Sequence, residues 1–147
     1  MARVRAEQGL TFDRLAERLG RRRPNVIVYE KGTVAPTPAV LVELAAALGV
    51  EPAELTTVSP ETAELADLRV WAGKTIAEAA AKARMARSTW EKTERGQRPL
   101  GHERAIQMAQ ALGVDEATVR AAYERASARA PTRTRAASAR SARQRSK

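Results

Sequence analysis

The sequence predicts an all-α protein of two tandem five-helix domains followed by a disordered basic C-terminal tail. Three observations support this prediction. Apolar residues recur at helical spacing through most of the chain, the sequence repeats itself after 64 positions, and residues 127–147 contain neither an acidic nor a large apolar residue. The predicted boundaries are residues 1–56 for the first domain, 57–126 for the second and 127–147 for the tail.

A pair of short helices is predicted between Gly9 and Gly32. Thr11 is placed to cap the first helix of the pair, and Gly20 ends it. Pro24 is acceptable in the first turn of the second helix, where backbone amides have no intrahelical partner. The apolar stripe of the first helix is Phe12, Leu15, Ala16 and Leu19, and the inner face of the second is Val26, Tyr29 and Glu30. Two helices joined by such a turn are typical of a helix-turn-helix motif.

The other elements of the first domain show the same helical spacing. Residues 1–8 are predicted to form a short first helix, and residues 51–55 a short last one. A fourth helix begins near Pro38, ends at Gly49 and carries an apolar stripe at Leu41, Leu44, Ala45 and Leu48.

The second domain repeats this order. Residues 3–55 overlay the chain 64 positions later with 13 identities and no gap, and the strongest block places Ala47–Val50 on Ala111–Val114. The Ser-Pro-Glu sequence at residues 59–61 offers an N-cap, an N1 proline and an acid, so a longer first helix is predicted from there. A closing helix is expected from Asp115 to about Ala126.

Composition narrows the classes of function. With no cysteine and one histidine, we expect no disulfide framework, no metal site and no cofactor. Paired histidines and a glycine-rich phosphate loop are absent and the acidic residues are scattered, so we predict that the chain is not an enzyme. Apolar runs fall far short of the roughly 20 residues of a membrane span. We therefore expect no membrane contact and a cytoplasmic, nucleoid-associated protein.

The formal net charge is +9, and most of the excess lies in the tail. Residues 1–56 carry 8 basic and 7 acidic groups, residues 57–126 carry 11 and 10, and residues 127–147 carry 7 and none. Nucleic-acid affinity of the two domains must therefore come from the local placement of Arg and Lys. The tail is expected to add salt-sensitive affinity that does not depend on DNA sequence, with a merely solvated extension as the alternative.

The sequence resembles the Xre-type, or lambda-repressor and Cro-like, helix-turn-helix domains, and it does so twice. The resemblance rests in the first copy on Arg5, Gly9–Thr11, Leu15, Ala16, Gly20, Glu30–Gly32, Pro36, Thr37, Leu44, Ala45 and Ala47–Val50. In the second copy it rests on Arg69, Gly73, Thr75, Ala80, Glu94–Gly96, Pro99 and Ala111–Val114. It implies two five-helix, lambda-repressor-like domains over residues 1–126.

The resemblance also implies where DNA would be contacted. The second helix of each motif would present its early residues to base edges, while the start of the first helix and the loop after the second would contact phosphates. The implied base-facing positions are Arg23, Pro24 and Val28 in the first copy and Arg87, Ser88 and Lys92 in the second. The polar readers of the first copy are then Arg22, Arg23 and Asn25, and in the second copy Ser88 and Thr89 would reach either bases or phosphates. The implied phosphate contacts are Thr11, Lys31, Thr75, Arg95, Gln97 and Arg98. A solvated turn is the alternative for the run Arg21–Arg23.

The first copy departs from this pattern. Pro24, Ile27 and Val28 offer no hydrogen bonds at the base-facing positions, although Val28 would still contact a thymine methyl group. Ile27 and Val28 are expected to face outward, where an apolar surface favours contact with a protein. Trp71 takes the position of Glu7, and the alternatives are contact with the other copy or another chain, and a partly exposed side chain.

Other unusual residues have structural explanations. Trp90 takes the position of Val26 and is expected in the core, and His102 is expected on the surface. The resemblance implies an ion pair between the first and third helices of each copy, Arg5 with Glu30 and Arg69 with Glu94.

The predicted function is sequence-specific binding of double-stranded DNA by a transcriptional regulator of prokaryotic or phage type, with its recognition helices in the major groove. One chain would act as a pseudo-dimer, and homodimerisation is left open. The alternative is a protein-interaction adaptor or antitoxin-like protein that uses the apolar outer face of the first recognition helix.

Overall fold

A computed structural model describes residues 1–130, and the all-α prediction is confirmed. The first unit consists of α1 (Ala2–Glu7), α2 (Phe12–Arg18), α3 (Arg23–Glu30), α4 (Pro38–Leu48) and a 3-10 helix (Pro52–Leu55). The second consists of α5 (Leu65–Trp71), α6 (Ile76–Lys82), α7 (Arg87–Glu94), α8 (His102–Leu112) and α9 (Glu116–Arg129). From residue 131 onward, the predicted tail lies outside the described residues.

Several helix ends follow from local chemistry that the sequence shows. Thr11 and Thr75 each accept a hydrogen bond from the backbone amide three residues later, at 3.2 and 3.3 Å. Both α4 and α8 end at a glycine in the left-handed region, Gly49 with φ of 64° and Gly113 with φ of 70°. The first helix of each helix-turn-helix motif therefore begins, and the helix after each motif ends, by the same local interaction in both units.

Each unit has a core of its own. In the first, Leu15, Ala16 and Val26 pack with Val4 of α1 and Leu48 of α4, so four helices share one cluster. The predicted stripe of α4 is buried in full, namely Leu41, Leu44, Ala45 and Leu48. Burial of such side chains is the main favourable term in the stability of a small helical unit.

The core of the second unit is built around a tryptophan. Trp90 is completely buried, as predicted. Ala79 and Ala83 of this unit stand at the positions of Leu15 and Leu19, so the large indole fills volume that the smaller α6 side chains leave. Within residues 1–130, no helix is both long and apolar enough to cross a bilayer.

The start of the second unit differs from the prediction. The first helix was expected from Ser59, but residues 60–62 make a single turn and α5 begins at Leu65. The amide of Thr62 bonds the carbonyl of Ser59 at 3.0 Å, and the chain then becomes extended at Glu64, with φ of −97° and ψ of 175°. Glu64 caps α5 through a capping box with Asp67. The Ser-Pro-Glu sequence at residues 59–61 therefore starts only one turn, and the helix begins after it.

The end of the second unit also differs from the prediction. α9 continues to Arg129, three residues beyond the expected end at Ala126. Arg125 Nε donates to the carbonyl of Ala63 at 2.7 Å, and Arg129 donates to the Glu64 carboxylate at 2.6 Å. These tertiary contacts hold the last turn of α9 against the start of α5. Local composition alone does not reveal them.

The two units contact each other through α4 and α5. Gly73 lies against α4 so closely that an added methyl group would be 3.0 Å from Cγ2 of Val42. The indole Nε1 of Trp71 donates to Oγ1 of Thr56 at 3.3 Å, and the ring is partly buried against the second core. Trp71 therefore contacts the first copy, and its contact with another chain stays a prediction.

A guanidinium–carboxylate pair joins the first and third helices of each unit. Arg5 donates through Nε and Nη2 to Glu30 at 2.8 and 2.9 Å, and Arg69 donates likewise to Glu94 at 2.8 and 3.1 Å. The remaining Nη1 of each arginine donates to a backbone carbonyl in the loop before the next helix, at 2.7 and 2.9 Å. The predicted ion pairs are confirmed, and each holds three segments together.

The surroundings of the two pairs are different. In the second unit Trp90 Nε1 adds a third donor to the Glu94 carboxylate at 2.6 Å. In the first unit the corresponding residue is Val26, and the Phe12 ring instead stacks on the guanidinium of Arg5, 4.1 Å from Cζ to the ring centroid. The hydrogen bond to Glu30 raises the pKa of Arg5, which stays charged.

Replacing Glu94 by Ala is expected to lower the free energy of unfolding by about 3 kcal/mol or more, because it leaves Arg69 charged, part-buried and unpaired. Glu30→Ala should cost less, since its carboxylate receives no indole donor. Urea unfolding followed by circular dichroism would measure both. The exposed Glu124 on α9 provides the control, with less than about 0.5 kcal/mol expected for Glu124→Ala. Equal midpoints for Glu94→Ala and Glu124→Ala would contradict the structural role.

Candidate nucleic-acid interface

Each motif contains a tight turn between its two helices. In the first unit Gly20 occupies this turn with φ of 60°, and in the second the equivalent residue is Arg84 with φ of 54°. A left-handed backbone costs a residue with a side chain about 1–2 kcal/mol. Arg84 was not singled out from the sequence, although its alignment with Gly20 is a usable signal. The second unit therefore keeps the left-handed backbone conformation of this turn although it has Arg84 in place of glycine.

The outward face of α7 is polar, and its inward face is anchored. Arg87, Ser88 and Lys92 are exposed, and Thr89 is partly exposed. Trp90, Thr93 and Glu94 are buried on the opposite face, at the positions of the inner face predicted for the first motif, Val26, Tyr29 and Glu30. The structure therefore brings the four predicted base-reading residues of the second unit onto one accessible helix whose position is fixed by the core.

The leading arginines of α3 and α7 each lie beside a carboxylate. Arg87 Nε donates to Glu91 Oε1 at 2.9 Å, one turn along the same helix. Arg23 Nε lies 3.6 Å from Oδ1 of Asp13, which belongs to the start of α2. Both contacts are at the surface, where an ion pair contributes little to stability.

The outward face of α3 is less apolar than predicted. Arg22, Arg23, Pro24 and Asn25 are exposed, but Ile27 and Val28, expected to face outward, are partly buried. The carbonyl of Val28 accepts the amides of Thr33 and Val34 at 3.1 and 3.4 Å, which ties the loop after α3 to the last turn of the helix. The exposed large apolar side chain of this region is Val34, at 50%.

The Arg21–Arg23 run divides into two roles. Arg21 Nη2 donates to Glu43 on α4 at 2.7 Å, and this hydrogen bond raises the pKa of Arg21. Arg22 and Arg23 remain exposed at the start of α3. Arg21 therefore braces the turn against α4, and the other two side chains stay accessible to a ligand.

The starts of α2 and α6, both predicted phosphate sites, are not equivalent. At α6 the amide and hydroxyl of Thr75 both donate to Glu78 Oε2, at 2.8 and 2.9 Å, and these bonds lower the pKa of Glu78. At α2 the residue in the place of Glu78 is Arg14. A phosphate at Thr75 would have to displace a carboxylate, whereas Thr11 has a basic neighbour.

The loops after the two recognition helices supply the remaining predicted phosphate contacts. Lys31, Arg95, Gln97 and Arg98 are all exposed. Arg95 and Gln97 line a shallow cleft of about 270 Å³ together with Ala126 and Arg129 at the end of α9. The end of α9 therefore lies beside the basic loop of the second unit, and the first unit has no helix in that place.

Among residues 1–130, no cluster of three or more His, Cys, Asp or Glu side chains is arranged to hold a metal ion. His102 is on the surface, as predicted, with Nδ1 3.2 Å from Oε1 of Glu116. Exposed hydrogen-bond donors therefore lie on helices that the cores hold in place. Such a surface suits binding of an anionic polymer.

The comparison with known protein families agrees with this geometry. The profile of the helix-turn-helix domain family matches residues 1–58 and again residues 62–122. The chain belongs to the helix-turn-helix domain family. The two matches make it a tandem helix-turn-helix protein, in which α2–α3 and α6–α7 are the motifs. No curated protein and no solved structure matches the chain significantly.

The loops after α3 and α7 differ in how closely their glycine, Gly32 or Gly96, approaches another segment. A Cβ atom added to Gly96 would lie 2.6 Å from the backbone nitrogen of Ser127 and 2.8 Å from the carbonyl carbon of Ala126, whereas one added to Gly32 would meet nothing within 4 Å. Both glycines have φ of 69°. The pair therefore separates the effect of backbone strain from that of the α9 contact.

Gly32→Ala is expected to lower the free energy of unfolding by about 1–2 kcal/mol, the cost of a left-handed backbone alone. Gly96→Ala should cost clearly more, because the new methyl group also displaces the end of α9. Urea unfolding of both variants measures the difference, and amide chemical shifts of residues 122–130 locate it. If the two substitutions cost the same, α9 does not pack against this loop.

Proposed function

We propose that this helix-turn-helix protein is a sequence-specific, double-stranded DNA-binding transcriptional regulator of the Xre type, as found in prokaryotes and phages. The observation that carries the proposal is the outward face of α7, where Arg87, Ser88 and Lys92 are exposed on a helix anchored from behind. A recognition helix needs both properties to read base edges in a major groove.

Base reading is assigned chiefly to the second unit. Arg87 would donate twice to O6 and N7 of a guanine, the commonest specific contact. Ser88 and Thr89 would reach bases or adjacent phosphates, and Lys92 lies one turn further along the same face. Regulation would then follow from occupancy of the operator, with no catalytic step and no cofactor. The proposed site of action is the nucleoid in the cytoplasm.

Positioning on the duplex is assigned to the loops and to one helix start. Lys31, Arg95, Gln97 and Arg98 would contact phosphates, as would Thr11 with Arg14 beside it. Thr75 would contribute only by exchanging its hydrogen bonds to Glu78. The six basic residues between 131 and 147 would add affinity that does not depend on sequence.

The first unit would contribute less to base reading. Its exposed polar residues are Arg22, Arg23 and Asn25, and the side chains of Ile27 and Val28 further along the helix offer no hydrogen bonds. The apolar surface at Ile27, Val28 and Val34 is the region that a protein partner of this regulator would contact. A homodimer would present four recognition helices, and its half-sites would be read from the length of the bound DNA.

Selection of bound sequences from a random double-stranded DNA pool, at near-physiological salt, tests the proposal. A full-length chain in which the six basic residues of 131–147 are replaced by Gln prevents non-specific retention. We expect a guanine-containing motif, and we expect Arg87→Ala to weaken its binding by about 1–3 kcal/mol. Arg23→Ala is the matched control in the first unit and should have a smaller effect. Failure to enrich any motif would refute sequence-specific binding.

The basic segment has a separate expected effect. Each neutralised phosphate contributes about 0.9 to the slope of log affinity against log salt. Replacing Arg133, Arg135, Arg140, Arg143, Arg145 and Lys147 by Gln should therefore reduce that slope by up to roughly 5, while the ratio of affinities for the selected motif and a guanine-substituted one stays constant. Fluorescence anisotropy at several salt concentrations measures both quantities. A change in the ratio would mean that the segment takes part in sequence reading.

A further inference from the structure

The Arg87–Glu91 contact has a geometry that matters for base reading. Glu91 Oε1 accepts from Nε of Arg87 at 2.9 Å, and the carboxylate is partly shielded, with 28% of its side chain exposed against 68% for Arg87. The guanidinium is a planar fork, so a partner at Nε leaves free the edge formed by Nη1 and Nη2, which faces another direction. Within residues 1–130 these two nitrogens have no hydrogen-bond partner.

The first unit provides an internal comparison. At the position of Glu91 it has Ile27, which cannot accept a hydrogen bond, and Arg23 lies near Asp13 of α2 instead. That distance is 3.6 Å, longer than a hydrogen bond. The same leading arginine is therefore directed along its own helix in one unit and toward the neighbouring helix in the other.

We propose that Glu91 is a positioning residue that determines how specifically Arg87 reads guanine. Glu91 holds Nε, so Nη1 and Nη2 are presented together to the O6 and N7 atoms of one guanine. The inference rests on the proposed function, because it assigns a role within that same DNA-binding face.

Two physical effects make this contact favour specificity. Arginine has many rotamers, and holding it in the bound orientation beforehand removes part of the entropy cost of binding, which corresponds to about two- to tenfold in affinity for one such side chain. The negative charge of Glu91 also opposes a simple Arg87–phosphate contact, which would bind every sequence equally. Glu91 should therefore weaken non-specific binding while it strengthens recognition of guanine.

The test compares the full chain with Glu91→Ala and Glu91→Gln. Each protein is titrated with the selected DNA motif and with the same duplex carrying adenine in place of the contacted guanine. The measured quantity is the ratio of the two affinities. Gln keeps a side-chain oxygen that accepts from Nε but has no charge, so it separates positioning from electrostatics.

We expect Glu91→Ala to reduce the ratio by about two- to tenfold and to raise affinity for the adenine duplex, and Glu91→Gln to keep most of the ratio. An unchanged ratio in Glu91→Ala would overturn the inference. If Arg87→Ala keeps the wild-type ratio, Arg87 does not read the guanine and this inference falls, whereas the proposed function falls only if the selection enriches no motif.

A measurement on the free protein shows whether Glu91 acts through Arg87. In wild type the Nε proton of Arg87 should exchange with solvent more slowly than that of Arg22, an exposed arginine without a carboxylate partner in residues 1–130. The difference should disappear in Glu91→Ala while the thermal unfolding midpoint stays within a few degrees. Rapid exchange of the Arg87 proton in wild type would overturn the positioning role.

Discussion

The buried guanidinium–carboxylate pair is the interaction on which each unit depends. One arginine of the first helix bonds a glutamate at the end of the recognition helix and, through its third nitrogen, a carbonyl in the loop that leads into the helix between them. Arg5–Glu30 and Arg69–Glu94 thereby fix three segments with one side chain. Because both charges are largely removed from water, either partner alone would be costly, so the position of the recognition helix is set by an interaction that is all or none.

The two units share this ion pair but differ in the residues around the recognition helix. The second has Trp90 behind its recognition helix and Glu91 on the outside, where the first has Val26 and Ile27. It also has Glu78 across the start of α6, where the first has Arg14. The duplication therefore keeps the ion pair that holds the recognition helix, whereas neighbouring residues differ both in the core (Val26 and Trp90) and outside it (Ile27 and Glu91).

The sequence allowed the fold to be predicted because its signals are local or repeated. Helical spacing, the Thr11 cap and the terminal glycines act within a few residues, and the 64-residue repeat extended each of them to the second unit. The predicted start of α5 and end of α9 were wrong because they depend on contacts between distant segments, such as Arg129 with Glu64. The prediction for Ile27 and Val28 was also wrong, since both are partly buried although helical spacing places them outward. The four-residue spacing of Arg87 and Glu91 is enough to predict that they pair on one helix face. Which nitrogen of Arg87 forms the hydrogen bond is known only from the structure.

Both tryptophans of the chain belong to the second unit, one inside its core and one at its junction with the first. Trp90 is enclosed and bonded to Glu94, while Trp71 is bonded across the junction to Thr56. Intrinsic tryptophan emission is therefore a property of one half of the molecule, and the tyrosine-containing first unit contributes little to it. Tryptophan fluorescence therefore reports unfolding of the second unit and, through Trp71, its separation from the first. Circular dichroism reports the helices of both units.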